Sequence, residues 1–452
     1  SKRIELFLLE EARLLDAGQF EDWLKLYEPQ GIYWMPSQPG QTDPLNVASI
    51  MYEDHAILSM RVQRLLEARA LVLTPMPRTT HLVSNIEAKE ADGGEFTADG
   101  HGFITVSDEG SDTLQLVRID LADGKRTVLT PGLKWDVEGF DLSDDGSLLA
   151  YSVNEDGLST VKLMETANGR TLKSPTLPAG VLTGLKFSQS GRELAIGLSA
   201  ATATGDVYVW DLSSDTLARW TESEVGGLDP KSFVAPELVR FPSFDKRSIP
   251  AFVYKPKARS GRLPVVIDIH GGPEAQERPA FGAGLQYWVN ELGVAVIKPN
   301  VRGSDGYGKA YINLDNAEKR EDSVKDIGAL LDWIAAQPDL DPERVVVYGG
   351  SYGGYMVLAS LTNYPDRLAG GIDIVGISNW ITFLTNTEGY RRDLRRAEYG
   401  DERDPKMRAV FERISPLNNA AKIKAPLLVI QGDNDPRVPK SEADQIVAKV
   451  RG

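Results

Sequence analysis

Five apolar runs, PVVIDIH, VAVIKPN, RVVVYGG, GIDIVGI and PLLVIQG, alternate with helix-length stretches between residues 264 and 432. A strand that is apolar on both of its alternating sides cannot face water on either. These runs therefore predict a parallel sheet covered by helices on both faces. The stretch VRFPSFDKRSIPAFVYKP, just upstream, reads as a β-hairpin leading into that sheet. The C-terminal part of the chain, 226–452, is expected to be an α/β domain.

Before it the texture changes. From about residue 91, short β segments are punctuated by turns, and three copies of one pattern align, beginning FTADG, LSDDG and FSQSG. Their turn glycines, Gly100, Gly146 and Gly191, stand 146 − 100 = 46 and 191 − 146 = 45 residues apart. A period in the forties with several strands per unit is that of β-propeller blades. Fewer than three complete blades fit into 91–225, and a closed ring needs about four, so a partial propeller with open edges is expected. Alternation places Leu116, Leu149, Ala195, Val207 and Val209 inward. Residues 221–236 form a connector rich in Gly, Pro and acidic residues.

The first ninety residues differ again. SKRIELFLLEEARLLDAGQFEDWLKLYEP gives two short amphipathic helices broken at Gly18, GIYWMPSQPG a strand, SIMYEDHAILSMRVQRLLEA a strand and then a helix, and RTTHLVSNIEA a last strand-like piece. The expected division is 1–90, 91–225 and 226–452.

Composition removes several functions. With 50 basic against 65 acidic residues, the net charge of −15 argues against a nucleic-acid partner. The absence of cysteine excludes disulfides, thiolate metal sites, cysteine nucleophiles and Rieske-type clusters. No apolar run approaches the roughly 20 residues that span a bilayer, so no membrane crossing is expected. The first residue is Ser rather than Met, and no signal-peptide pattern follows it. The cytoplasm is favoured, with the periplasm as the alternative.

Chemistry gathers in the α/β part. Gly349, Ser351 and Gly353 fit G-x-S-x-G, in which a strand turns sharply into a helix with the serine at the tip. The helix N-terminus there offers backbone N–H groups to developing negative charge. HGGP, His270 to Pro273, follows a buried strand upstream, where such hydrolases carry a second oxyanion donor. That would be the N–H of Gly272, beside that of Tyr352. His270 in this position reads as a structural imidazole that holds the loop. In QGDNDPRVP, residues 431–439, Asp433 and Asp435 compete for the acid, and 435 − 351 = 84 fits the order Ser, Asp, His.

HGGPEAQ, PNVRGSDGYG, GGSYGGYM, SPL and NDPRVP, in this order, resemble the prolyl oligopeptidase family of serine peptidases, above all its acylaminoacyl-peptidase and dipeptidyl-aminopeptidase-like members. The resemblance covers about residues 95–452. It implies an α/β-hydrolase domain behind a propeller, Ser351 as nucleophile, Asp435 as triad acid, and Gly272 and Tyr352 as oxyanion donors, with Asp433 a turn residue. His270, Gly349 and Gly353 support them. The family's histidine lies some thirty residues beyond its acid, and only 452 − 435 = 17 residues follow Asp435 here. His55, His81 and His101 lie in other domains. This polypeptide is therefore expected to be C-terminally truncated and impaired. The charge run YRRDLRRAEYGDERD, from Tyr390, reads as a solvated helix face.

EARLLD, WLKLY, IYWMP, YEDHAILSMRVQRL and PRTTHLVSNIEA resemble the small (β) subunit of aromatic-ring-hydroxylating dioxygenases, over residues 1 to about 88. That implies an α+β fragment of the nuclear-transport-factor type, with His55 and His81 as packing residues and no metal site. The leading expectation is a serine peptidase that cleaves short peptides through an acyl-enzyme on Ser351, with no cofactor and no metal, and open to homo-oligomer formation. The alternatives are a non-catalytic dioxygenase β-subunit-like assembly protein and an inert hydrolase-fold binding module. A join of two incomplete reading frames explains both resemblances.

Overall fold

The computed structural model describes residues 11, 13–15, 18–27, 32–36, 49–66, 94–257 and 261–452. The chain divides into two compact units, Ser1–Glu95 and Phe96–Gly452.

In the first unit, strands Ile32–Pro36 and Ser49–Asp54 pair antiparallel. Helix His55–Leu66 follows the second strand directly. The Asp54 carboxylate accepts the Ile57 N–H at 2.9 Å and so caps the turn from strand to helix. Helix Phe20–Leu24 contributes Trp23 to a small core with Leu14, Leu58 and Val62. The rings of Trp23, Tyr27 and Tyr33 meet edge to face there. His55 is half-buried at the start of its helix, and its carbonyl accepts the Ser59 hydroxyl at 2.7 Å. The strand expected at RTTHLVSNIEA, with His81, lies outside the described residues.

The second unit opens with the repeat. Thr97, Ser143 and Ser188 each accept, on a hydroxyl, the N–H of the residue five positions on, Gly102, Leu148 and Glu193, at 2.8, 3.0 and 3.2 Å. Gly100, Gly146 and Gly191 hold the same left-handed φ in all three turns, 71°, 69° and 67°. Each turn belongs to an antiparallel sheet. The strands are Gly102–Ser107, Gln115–Asp120 and Arg126–Val128, then Val137–Leu142, Leu148–Glu155 and Leu158–Glu165, then the four from Val181–Phe187 to Thr216–Arg219. The middle sheet is apolar on both sides: Leu149, Tyr151 and Val153 pack with Ile104 and Leu116, whereas Ala150 and Leu163 pack with Leu194, Ile196 and Trp210.

Two inward expectations fail in the last sheet. Ala195 is half-buried and Val207 is 37% exposed, while Leu116, Leu149 and Val209 are buried. Ala195 and Val207 share a face with Gly197, and the larger Leu194, Ile196, Tyr208 and Trp210 take the opposite, core face.

The remainder is one seven-stranded sheet. Its strands are β1 (Glu237–Pro242), β2 (Ser248–Tyr254), β3 (Leu263–Ile269), β4 (Ala295–Pro299), β5 (Leu340–Gly350), β6 (Gly370–Ile374) and β7 (Leu427–Ile430). The order is β1-β2-β4-β3-β5-β6-β7. The hairpin β1–β2 is antiparallel, and β3 to β7 are parallel to one another. Helices α1 (Glu321–Ala336) and α2 (Tyr352–Asn363) join a core that runs from Phe241 through Val265, Ile267, Val345 and Val347 to Trp380. The expected cover on both faces fails at β7, where Leu428 is 54% and Ile430 46% exposed. An edge strand with four apolar residues in a row reads like an interior one.

The sheets of the repeat are tied to the segments after β3 and β4. The Arg278 guanidinium donates to the Gly157 carbonyl and the Ser159 hydroxyl, both at 3.0 Å, and pairs with Glu138. Asn154 Nδ2 donates to Gln276 at 2.6 Å. Asp112 takes the Lys309 and Ala310 N–H groups on its carbonyl and carboxylate, at 2.7 Å each.

Candidate active site

Strand β5 ends at Gly350 and α2 begins at Tyr352, so Ser351 alone makes the turn between them, at φ 57° and ψ −117°. A serine held there carries strain of about 1–3 kcal/mol, which the surroundings must fix. Its N–H donates to the Ile374 carbonyl on the next strand at 2.8 Å, and its carbonyl accepts the Tyr355 N–H at 3.1 Å. The glycines are needed for contact distance: a Cβ on Gly353 would stand 2.1 Å from the Ile269 carbonyl oxygen, and one on Gly349 2.6 Å from the Gly353 carbonyl. Only hydrogen fits between strand and helix at these two positions.

The loop after β3 meets this turn. A Cβ on Gly271 would be 3.5 Å from Ser351 Cβ, and Gly272, at φ 123°, leaves only 2.7 Å between its own would-be Cβ and the Glu274 nitrogen. His270 Nδ1 is 2.7 Å from the Gly271 carbonyl oxygen and Nε2 is 2.8 Å from the Ser304 hydroxyl. A carbonyl can only accept, so Nδ1 carries a proton. Burial holds the imidazole below its ordinary pKa, and the Ser304 hydroxyl that meets Nε2 donates to the Val301 carbonyl at 2.6 Å. The Gly271 carbonyl and the Gly272 N–H belong to one trans peptide and point in opposite directions. The imidazole thus turns the Gly272 N–H away from itself. The Gly272 carbonyl accepts the Tyr399 hydroxyl at 2.7 Å.

Tyr352 places its N–H at the first turn of α2, where no helical carbonyl can accept it. Its side chain is fully buried, with the hydroxyl 3.0 Å from the Asp315 carboxylate and 2.8 Å from the Ser323 hydroxyl. Arg320, also fully buried, pairs with Asp315 at 2.5 Å and lies 5.3 and 4.9 Å from the ring centres of Tyr352 and Tyr399. Burial pushes the Asp315 carboxyl up to about 6 and that of Glu398 up to about 7, against the opposing pull of Arg320 on both.

Asp435 is half-buried in the loop after β7, and its carboxylate accepts the N–H groups of Arg437 and Val438 at 2.8 and 3.1 Å. That Asx turn is held by Thr387, whose hydroxyl donates to the Arg437 carbonyl at 2.8 Å. Asp433 is exposed. The strand order puts β6 between the strands that carry Ser351 and Asp435. Among the described residues no histidine hydrogen-bonds Ser351: His270 is committed to Gly271 and Ser304, and the His101 N–H donates to Asp99 in a blade turn.

The charge run from Tyr390 departs from its expected solvated face. It forms helix α3 (Gly389–Tyr399) and the following turn, and it buries Tyr399, Glu398 and Glu402 to 2%, 7% and 5% exposure. Arg395 pairs with Glu398 at 2.7 Å, and Arg396 pairs with Glu402. Sequence reasoning missed Tyr399, Asp315, Arg320 and Glu398. It also missed Asp373 on β6, which burial pushes up to about 7 and whose Oδ1 would lie 2.4 Å from a Cβ on Gly354.

The pattern of the prolyl oligopeptidase family matches residues 279–452. Over these residues the chain is similar to the prolyl oligopeptidase family. Dipeptidyl aminopeptidase BIII of Pseudoxanthomonas mexicana is 32% identical over 367 residues, which cover 78% of this chain and 53% of that protein. Dipeptidyl peptidase family member 6 of Caenorhabditis elegans is 36% identical over 203 residues, 43% of this chain and 27% of that one. The chain thus spans about half, or less, of the length of these prolyl oligopeptidase relatives. Among solved structures, a puromycin hydrolase superposes with a TM-score of 0.70 at 23% identity, over 79% of this chain and 55% of that one. An acylaminoacyl peptidase of Pyrococcus horikoshii gives 0.67 at 21%, over 81% and 57%. These neighbours share the fold, a propeller joined to an α/β-hydrolase domain. The ring hydroxylating beta subunit pattern matches residues 10–116, past residue 88 and into strand Gln115–Asp120.

Proposed function

We propose that this protein is a serine peptidase acting on short peptides. Ser351 Oγ attacks the scissile carbonyl, the amine leaves with a proton, and water releases the acyl group. The carrying observation is Ser351 itself, the single strained residue between β5 and α2. In this reading the N–H groups of Tyr352 and Gly272 stabilise the oxyanion, and Asp435 orients the histidine base. His270 holds the Gly271–Gly272 peptide, and Gly349 and Gly353 permit the turn. In this reading the base would be supplied by a strand, loop and helix C-terminal to helix Lys440–Arg451.

A polypeptide of these residues alone then keeps only what oxyanion hole and binding provide, roughly a thousandfold to ten-thousandfold over water. It should turn over dipeptidyl and blocked-peptide substrates at the edge of detection. The same chain extended by a prolyl oligopeptidase-type C-terminal segment should cleave them, and Ser351→Ala should end that. Rapid fluorophosphonate labelling of the unextended chain would reveal another base. An extended, folded chain that cleaves no short peptide would overturn the assignment.

The match over 10–116 supports a second reading, in which the first ninety residues are an α+β fragment of a dioxygenase β subunit that serves assembly and not catalysis. Co-purification with a ring-hydroxylating large subunit, unaffected by Ser351→Ala, would support it, and failure to co-purify would count against it.

A further inference from the structure

Of the sequence motif PNVRGSDGYG only Ser304 meets the site above, through His270, yet the structure spends two left-handed glycines on the motif's far end. Gly306 and Gly308, at φ 82° and 86°, flank Tyr307. A Cβ on Gly306 would stand 2.6 Å from the Gln276 side chain, and one on Gly308 2.5 Å from the Asp112 carboxylate. The loop is clamped between the repeat and the hydrolase sheet, and what it presents is the Tyr307 ring. That ring stands in a row, with Trp135 at 6.0 Å on one side and Tyr311 at 5.2 Å on the other, all three half-buried. The row forms one wall of a cleft of about 580 Å³, between the segment that carries Lys134 and Trp135 and the β1–β2 hairpin.

The rest of the lining is cationic. Lys134, Arg240, Lys246 and Arg247 line the cleft against one carboxylate, Asp245. Arg240 is taken by Asp156, and Asp245 is shared between Arg247, at 3.8 Å, and Arg302, at 3.2 Å. Lys134 and Lys246 have no carboxylate partner among the described residues. In a chain of net charge −15, two ammonium groups without a carboxylate partner beside a row of half-buried rings favour an anion that also carries a ring.

The geometry points to a binding site for a small organic anion: a phosphate or carboxylate head carried on a planar ring, the head between Lys134 and Lys246 and the ring against Trp135 and Tyr307. The site is separate from Ser351 and does not depend on the peptidase reading. It joins the repeat to the hydrolase domain, so its occupant stabilises that seam.

Calorimetric titration of the 452-residue chain with phenyl phosphate, benzoate, inorganic phosphate and phenol tests it. Phenyl phosphate or benzoate should bind saturably at one site, and which is tighter identifies the head group. Inorganic phosphate and phenol, each with half the chemistry, should bind severalfold more weakly. Lys134→Gln with Lys246→Gln should weaken binding roughly tenfold or more, and Trp135→Leu severalfold, whereas Lys449→Gln, far along the chain on the last helix, should leave it unchanged. Both lysines are exposed, so the double variant should melt with the parent. Absence of saturable heat, undiminished affinity in the double-lysine variant, or inorganic phosphate binding as tightly as phenyl phosphate would each overturn the proposal.

Discussion

Asp373 lies 1% exposed beneath the turn that carries Ser351, and burial pushes its carboxyl up to about 7. In the unfolded chain the same group titrates near 4. Between these values the folded state holds the extra proton, so stability is greatest below about pH 4 and falls as pH rises through about 7. Three units correspond to about 4 kcal/mol at most. Asp373→Asn removes this dependence. Its stability relative to the parent should rise from pH 5 to about pH 7 in urea denaturation and level off above, and a flat difference throughout would show that Asp373 ionises freely in the fold. Tyr399 gives a second test at this scale. Tyr399→Phe deletes one hydrogen bond to the Gly272 carbonyl and should cost about 1 kcal/mol of stability. It should also slow fluorophosphonate labelling of Ser351 in the extended chain, a change that loss of packing alone would not bring.

At the scale of elements, the turn glycines separate two costs that look alike in sequence. Gly353→Ala would drive a methyl to 2.1 Å from the Ile269 oxygen and force α2 off β3, so a loss of more than about 3 kcal/mol is expected. Gly100→Ala meets nothing within 4 Å and carries only the left-handed strain, about 1 kcal/mol. Equal losses in denaturant midpoint would refute the close-approach argument. The same contrast explains what could be read in advance. The elbow, the HGGP loop and the three blade turns were legible because each is set by residues within about five positions of one another. The apolar strands were legible from pattern alone, but pattern could not tell β7, at the edge, from its neighbours. Tyr399 was invisible, since its partner Gly272 is 127 residues away and its own surroundings in sequence are all charge. Asp315 and Arg320 stayed hidden for a related reason: a buried ion pair under an aromatic ring looks, in sequence, like any surface pair.

At the scale of the whole described sheet, Leu428 and Ile430 lie exposed on its last strand. An apolar edge with unpaired backbone groups invites a second strand. For a polypeptide of these 452 residues alone, concentration-dependent association is therefore expected in sedimentation, and Leu428→Lys with Ile430→Lys should abolish it; association that survives both would place the contact elsewhere. The clamp of Arg278 on Gly157 and Ser159, and of Gln276 on Asn154, has a different consequence, one for inheritance. Four positions after Gly272, at Gln276, the loop beside the nucleophile passes into the keeping of another domain. Lineages cannot shuffle their propellers freely: a graft must bring along a hairpin that still matches the host's loop, residue for residue. Change on one side of that joint should leave its trace on the other, as paired substitutions at 154 with 276 and at 159 with 278.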